Sequence, residues 1–294
     1  MEPLLASFQK FKVFFQREKS LNFALLQKLR PFKARVLFEI DCGDYLVKTA
    51  SCYEDLLPSF QLRQASFLDG KFNAPLTYDH LEIDRYDLIA DHILIIEKKS
   101  TKLIGTYRVI NSLFSRSFYS QTEFHLEDFL KTPFVKMELG RACIHPDYRN
   151  GRTIDLLWKG IGKYVELTKP RYLFGCSSIK STDPQKTQLI LSYLNQKSYI
   201  SSEFHVIPTD AYKLNFPVIV HPQKNPLEDP KRMIPPLLRS YLNAGAEIHG
   251  FPALDLEFGT VDFLTILDLE EINPAFLKRY FQAKNPSFSG DANA

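Results

Sequence analysis

ELGRACIHPDYRNGRTIDLLWKGIGKYV, Glu138–Val165, is the stretch on which the fold turns. A β-prone run over 135–144 ends in a basic turn with one glycine, and a helical pattern follows. Ile154, Leu157, Trp158, Ile161 and Val165 recur at helical spacing, which predicts a helix over 152–167 with one buried face. The turn therefore holds a helix N-terminus at the end of a strand. The first N–H groups of a helix have no internal partner, and the helix dipole makes that end partly positive. A phosphate group fits there. Gly151 permits close backbone approach, and Arg149 and Arg152 add charge suited to a phosphate or to an acidic partner surface. Many proteins place Arg and Gly before a helix without any ligand, so the turn alone does not decide its use.

Within the strand, Glu138 and Arg141 are three residues apart and point to opposite faces of a regular strand. A bulge between them brings both to one side, a device common beside active sites. Glu138 then suits proton transfer or an ammonium, and Arg141 a carboxylate. A plain ion pair at a strand edge explains the two residues equally well.

Outward from this stretch, 34–51 reads as two extended pieces around Cys42-Gly43-Asp44, and 52–69 as a helix. A hairpin is predicted over 92–110, a short helix over 123–131, a strand over 172–179 and a helix over 184–198. A Pro-rich loop spans 208–230, followed by a helix over 232–243, a strand over 261–267 and a helix over 273–283. Hairpins first and a strand–helix–strand unit later predict a mixed α/β domain, one sheet with helices on both faces, over 34–284. Residues 285–294 read as a disordered tail.

With 45% hydrophobic and 24% charged residues in 294, a large core is affordable and wholesale disorder is excluded. A net charge of +3 argues against a nucleic-acid binder. Cys42, Cys52, Cys143 and Cys176 form no CxxC pair and no histidine stands at ligand spacing from them, which predicts reduced thiols, a cytoplasmic setting and no metal site. No apolar run is long enough to span a membrane. The first 33 residues carry Lys10, Lys12, Arg17, Lys19, Lys28, Arg30 and Lys33 among phenylalanines and leucines. Such an arm suits peripheral contact with the inner face of an anionic membrane, or an ordinary helix docked on the body.

Taken with YLFGCSSI (172–179), ADHILIIE (90–97), LIGTYRVI (103–110), FYSQTEFHL (118–126) and the segment 232–281, the opening stretch resembles the GNAT-type N-acyltransferases. Within them it resembles the bacterial ornithine N-acyltransferases, a group also described as hemolysin-like and similar to the acyl-homoserine lactone synthases. The resemblance covers 45–284. It implies a mostly antiparallel sheet with splayed middle strands and transfer of a fatty or 3-hydroxyfatty acyl group to the α-amine of an amino acid, foremost ornithine. It implies that Arg63 and Phe67, Asp84 and Asp87, Arg108, and Glu138 with Arg141 line the active site. In this scheme Glu138 is the base, Arg108 or Arg141 holds the acceptor carboxylate, and Asp84 or Asp87 holds the distal ammonium. The usual Q/R-x-x-G-x-G/A phosphate loop is replaced by Arg149-Asn150-Gly151-Arg152-Thr153-Ile154. That departure suits phosphopantetheine presented by acyl carrier protein as co-substrate, with no bound cofactor. Tyr193 stands where many GNAT enzymes carry a thiolate-protonating tyrosine, though a packed aromatic explains it as well. Rival readings are synthesis of other N-acyl amino acids or of acyl-homoserine lactones, and a membrane-docked protein without catalysis.

Overall fold

The computed structural model describes residues 22–72, 75–78, 81–216 and 229–281. Most of the basic arm, residues 1–21, and the tail 285–294 lie outside the described residues.

Residues 22–29 form helix α1. A hairpin of β1 (Glu39–Cys42) and β2 (Tyr45–Thr49) is followed by α2 (Tyr53–Gln64), which continues as a π-helical turn over Ala65–Asp69. A short 3-10 turn, Arg85–Ile89, leads into the hairpin of β3 (Asp91–Glu97) and β4 (Lys102–Asn111). Next come β5 (Phe124–His125), α3 (Glu127–Leu130), β6 (Lys136–Ile144), α4 (Gly151–Thr168) and β7 (Tyr172–Ile179). The chain continues through α5 (Pro184–Gln196), β8 (Ile200–Ser201), β9 (Ile207–Pro208), α6 (Pro230–Met233) and α7 (Pro236–Ala244). It ends on β10 (Glu247–Asp255), β11 (Thr260–Asp268) and α8 (Pro274–Tyr280).

Among the described residues, nine strands form one sheet in the order β1-β2-β3-β4-β6-β7-β11-β10-β8. The pairs β6–β7 and β10–β8 are parallel and the others antiparallel. One face is covered by α4, whose Trp158, Ile161 and Val165 pack with Ile93, Tyr107, Leu139 and Leu173. The other face carries a phenylalanine-rich cluster around Phe118, Phe129 and Phe174, and the leucines of α2. Leu25, Leu26 and Leu29 of α1 pack into that leucine cluster beside Leu56, Phe60 and Leu94, so this end of the basic segment is a docked helix.

Three elements depart from the sequence pattern. The helix expected over 232–243 is two helices, because Pro235 and Pro236 break it: Ile234 is extended (ψ 120°) and Pro236 opens α7. The segment 123–131 begins as strand β5, paired with β9, and only Glu127–Leu130 is helical. Strand β10 was hidden by Gly250 and Pro252. It carries an irregularity between His249 and Ala253, and Gly250 sits at φ +72° where a Cβ would lie 2.0 Å from the Val206 carbonyl oxygen.

The feature that positions the site is the parting of β6 and β7. They pair only at Lys136–Tyr172, Met137–Leu173 and Glu138–Phe174. Beyond that point β6 stays with β4 and β7 stays with β11 along its whole length, so a gap opens between them. At the fork, a Cβ on Gly175 would meet the Leu139 carbonyl oxygen at 2.2 Å. Gly175→Ala is expected to force the fork open and to lower the unfolding free energy by about 1–3 kcal/mol, the usual cost of overpacking. Urea denaturation reads this; an unchanged midpoint would show that the contact yields freely.

Candidate active site

Strand β6 carries a bulge, at Arg141–Ala142, just past the Glu138–Gly140 segment whose register with β4 is regular. Arg108 pairs with Gly140 and Thr106 with Cys143, so Arg141 and Ala142 of β6 oppose Tyr107 alone on β4. Arg141 takes up the surplus at φ +51°, an uncommon conformation for a residue with a side chain. Its side chain lies on the Glu138 side of the sheet, with the guanidinium 4.4 Å from the Tyr119 ring and 5.1 Å from the Phe258 ring.

A closed ring of alternating charges fixes it there. Arg63 binds Glu82, and Glu82 accepts from Arg141 Nε at 2.9 Å. Arg141 Nη2 donates to Asp84 at 3.1 Å, and Asp84 accepts from Arg108 Nη1 at 2.7 Å. Arg108 reaches Asp87 at 3.4 Å, and Asp87 accepts both terminal nitrogens of Arg63, at 2.7 and 3.1 Å. Three cations balance three anions. Burial raises the Asp84 and Asp87 carboxyls, but the surrounding guanidiniums outweigh it and hold both below the usual carboxylate range. His92 lies beside the ring, Nε2 3.6 Å from Asp87, with neither ring nitrogen hydrogen-bonded. Burial lowers it to about 3, so it is neutral at ordinary pH.

The gap between β6 and β7 widens into a cavity of about 570 Å³ that reaches both faces of the sheet. On the α4 face its wall is Leu139, Tyr107, Leu237, Leu238 and Tyr241, with the Tyr107 and Tyr241 hydroxyls paired at 2.7 Å. On the other face it is lined by Phe67, Tyr119, Ser120, Glu123, Glu138, Arg141, Cys176, Asp255 and Asp262. Glu138 accepts the backbone N–H groups of Tyr119 (2.7 Å) and Ser120 (2.6 Å), and burial raises its pKa. Burial, then the Glu123 and Asp262 charges, push the Cys176 thiol well up, so it stays a neutral thiol. Glu123, Asp255 and Asp262 each offer an oxygen within 4.8 Å of the others, a set able to hold a cation.

Of the residues singled out from sequence, Glu138, Arg141 and Phe67 meet at this cavity. Arg63, Asp84, Asp87 and Arg108 do not line it; they are turned toward one another in the ring, which corrects their expected contact with substrate. Asp84 and Asp87 thus have arginine partners in place of a distal ammonium. The turn 149–153 lies outside the cavity wall. Asn150 caps α4 by accepting from the Thr153 N–H at 3.1 Å, Thr153 Oγ1 donates to Tyr148, Arg149 donates to the Ile144 carbonyl, and Arg152 pairs with Asp44. Space outside Gly151 is open. Tyr193 packs beside Leu194 and Ile190, away from the cavity. Sequence reasoning missed Glu82, Glu123, Tyr241, Asp255 and Asp262. Asp262 left a signal, an acid inside the apolar run VDFLTIL.

Comparison with known proteins is consistent with this architecture. A family model described as an acetyltransferase (GNAT) domain matches residues 62–159, the end of α2 through β3, β4 and β6 into α4. The L-ornithine N(alpha)-acyltransferase of Rhizobium meliloti (strain 1021) is 30% identical over 213 residues, 68% of this chain and 70% of that protein. The Rhodobacter capsulatus protein of the same name is 25% identical over 78% of this chain and 92% of its own length. Among solved structures, a CoA-dependent acyl-homoserine lactone synthase, BjaI, aligns at a TM-score of 0.41 and 16% identity, covering 77% of this chain and 80% of that one.

Two measurements test the ring. Arg63→Met leaves buried Asp87 with Arg108 alone and Glu82 with Arg141 alone, three anions against two cations, and is expected to cost about 3–5 kcal/mol in urea unfolding; a loss below about 1 kcal/mol would show that the ring is dispensable. His92 resists protonation when folded, whereas the unfolded chain binds that proton below about pH 6.5. Stability is therefore unaffected by His92 above pH 6.5 and falls as pH drops from there toward 3, by up to about 1.4 kcal/mol per pH unit. His92→Phe, set among Phe32 and Phe60, is expected to remove that slope from the pH dependence of unfolding.

Proposed function

The chain belongs to the L-ornithine N(alpha)-acyltransferase family, and we propose that it moves a fatty acyl group, 3-hydroxylated or plain, from acyl carrier protein to the α-amine of L-ornithine. The observation that carries this reading is the gap between β6 and β7, which joins an apolar wall on one face to a charged wall on the other. The thioester lies in the gap, where the facing edges of 139–144 and 175–179 have no strand partner and their N–H groups can polarise its carbonyl. The α-amine attacks the carbonyl carbon, the N–C bond forms, the C–S bond breaks, and the departing thiolate takes up a proton.

Glu138 is the base, removing a proton from the α-ammonium directly or through one water. Its raised pKa supports this role, since a carboxylate with an ordinary pKa is a weak base. Arg141, aimed into the cavity from the bulge, holds the acceptor carboxylate. Arg108, Arg63, Asp84 and Asp87 act through Arg141 as positioning residues. The turn into α4, Arg149–Thr153, receives the phosphate of the phosphopantetheine arm, favoured by the open space at Gly151. A neutral Cys176 favours direct attack over an acyl-enzyme. No helix among the described residues is long and apolar enough to cross a membrane, and the basic segment within 1–33 is the proposed peripheral contact with the cytoplasmic face.

The test is incubation of the purified protein with 3-hydroxyacyl and plain acyl carrier protein thioesters and a pool of amino acids including ornithine, with mass spectrometry of amide products. One N-acylornithine is expected; no amide from either donor would overturn the proposal. Glu138→Gln is expected to lower kcat/KM by about 10²–10⁴-fold and to remove the acidic limb of its pH profile. Full rate at every pH would exclude Glu138 as the base.

A further inference from the structure

Since Asp84 and Asp87 are neutralised within the ring, a diamino acid acceptor needs another partner for its second ammonium. A separate acidic group stands in the cavity. Glu123 comes from the turn after Ser120, and Asp255 and Asp262 come from the two strands of the β10–β11 hairpin, far from Glu123 in sequence. Glu123 and Asp262 are 1% and 2% exposed. Tyr119 and Cys176 lie against Glu123, Ser178 and Thr260 lie against Asp262, and the Glu123 and Asp262 carboxyls are within hydrogen-bond reach of each other; with both ionised, Glu123 Oε2 and Asp262 Oδ1 have no donor among the described residues. An unpaired buried oxygen costs free energy, and two of them facing one cavity mark a missing donor. The charges acting on Glu123 are those of Asp262 and Asp255, so that donor should be a cation.

The cluster sits within reach of the residues assigned to the α-end of the acceptor. The Ser120 N–H donates to Glu138, its hydroxyl is 3.4 Å from Cys176 Sγ, and Glu123 follows three residues later on the same cavity wall. Arg141, on the same wall, offers the complementary charge for a carboxylate. An amino acid with a charged side-chain terminus matches this order of groups: carboxylate, α-amine, terminal ammonium.

We propose that Glu123, Asp255 and Asp262 form a specificity pocket that receives the side-chain ammonium of a diamino acid acceptor. The assignment rests on the N-acyltransferase reading above and adds the basis of its acceptor choice. Burial, then the Asp262 and Asp255 charges, raise the Glu123 carboxyl, and burial, then the Asp255 charge, raise that of Asp262, so both ionise reluctantly without a cation beside them. An ammonium brings three N–H donors to oxygens that lack them, and its single charge asks for less ionisation of crowded carboxyls than a divalent metal does.

The test compares L-ornithine with L-norvaline, which has the same carbon chain without the terminal amine, using acyl carrier protein thioester as donor. The wild-type protein is expected to favour ornithine by about 100-fold or more in kcat/KM, because norvaline leaves the pocket's oxygens unpaired. Asp262→Asn and Glu123→Gln should each raise KM for ornithine about tenfold or more and shrink the ornithine-to-norvaline ratio of kcat/KM by about the same factor. Asp255→Asn provides the same comparison if either variant fails to fold. A thermal shift with each amino acid alone gives a readout independent of turnover: ornithine should raise Tm and norvaline should not.

Amide formation with no preference for ornithine, or equal losses on both acceptors in the variants, would overturn the pocket and leave acyl transfer standing. An absence of amide from any acceptor would remove the acyl-transfer reading and this inference with it. Calorimetric binding of one Mg²⁺, Mn²⁺ or Ca²⁺ per chain, lost in Asp262→Asn, would overturn it in favour of a metal site.

Discussion

The six-membered ring of Arg63, Glu82, Arg141, Asp84, Arg108 and Asp87 is the constraint on which the rest depends. It ties α2, the loop before the 3-10 turn, β4 and β6 into one body. Buried ion pairs often add little net stability, because desolvation offsets attraction. Their worth here is geometric. A positive-φ arginine has an intrinsic cost of roughly 1–2 kcal/mol, and such strain persists only where its surroundings over-determine it. Two carboxylates hold the Arg141 guanidinium and two aromatic rings bracket it. The bulge keeps Arg141 on the same wall as Glu138, beside the gap where β6 leaves β7.

The cavity is correspondingly divided. One wall is built from leucines and a pair of tyrosines that satisfy one another, with both hydroxyls pushed above the usual range by burial. The opposite wall carries charge of both signs. Arg141 enters from β6 with its counter-ions behind it, whereas Glu123, from the turn before β5, and Asp255 and Asp262, from β10 and β11, have no counter-ion among the described residues. A carboxylate partnered before a ligand arrives and a carboxylate left open differ greatly in what they offer a ligand, although the two are indistinguishable in sequence.

That difference explains how much could be read beforehand. The central frame, β6 through α4 to β7, was legible because alternation, a turn and helical periodicity follow one another within forty or so residues with little interruption. The three-residue spacing of Glu138 and Arg141 raised a bulge as one of two readings, without placing it at Arg141–Ala142. Strand β10 was not, because Gly250 and Pro252 erase its alternation while the pairing with β11 restores it. The break between α6 and α7 was written in Pro235-Pro236 but overridden by the apolar periodicity around it. At the site, the resemblance selected five of the six ring members without showing that they face one another. Side-chain direction depends on long-range packing, here between residues as distant as Arg63 and Arg141. Asp255 ends a strand that was missed, and only its burial distinguishes it from a surface acid, whereas Asp262 stood out only as an acid within an apolar run.

The cavity's passage through the sheet has a kinetic consequence under the proposed function. The acyl carrier arrives along the face that holds α4 and the apolar wall, and the amino acid along the face that holds Glu138 and Arg141. Neither substrate lies across the other's path. With no ionised thiol to store the acyl group, both must be present at once, but either can arrive or leave first. The sheet then acts as a partition with one window, separating the traffic of a large protein-borne donor from that of a small charged acceptor.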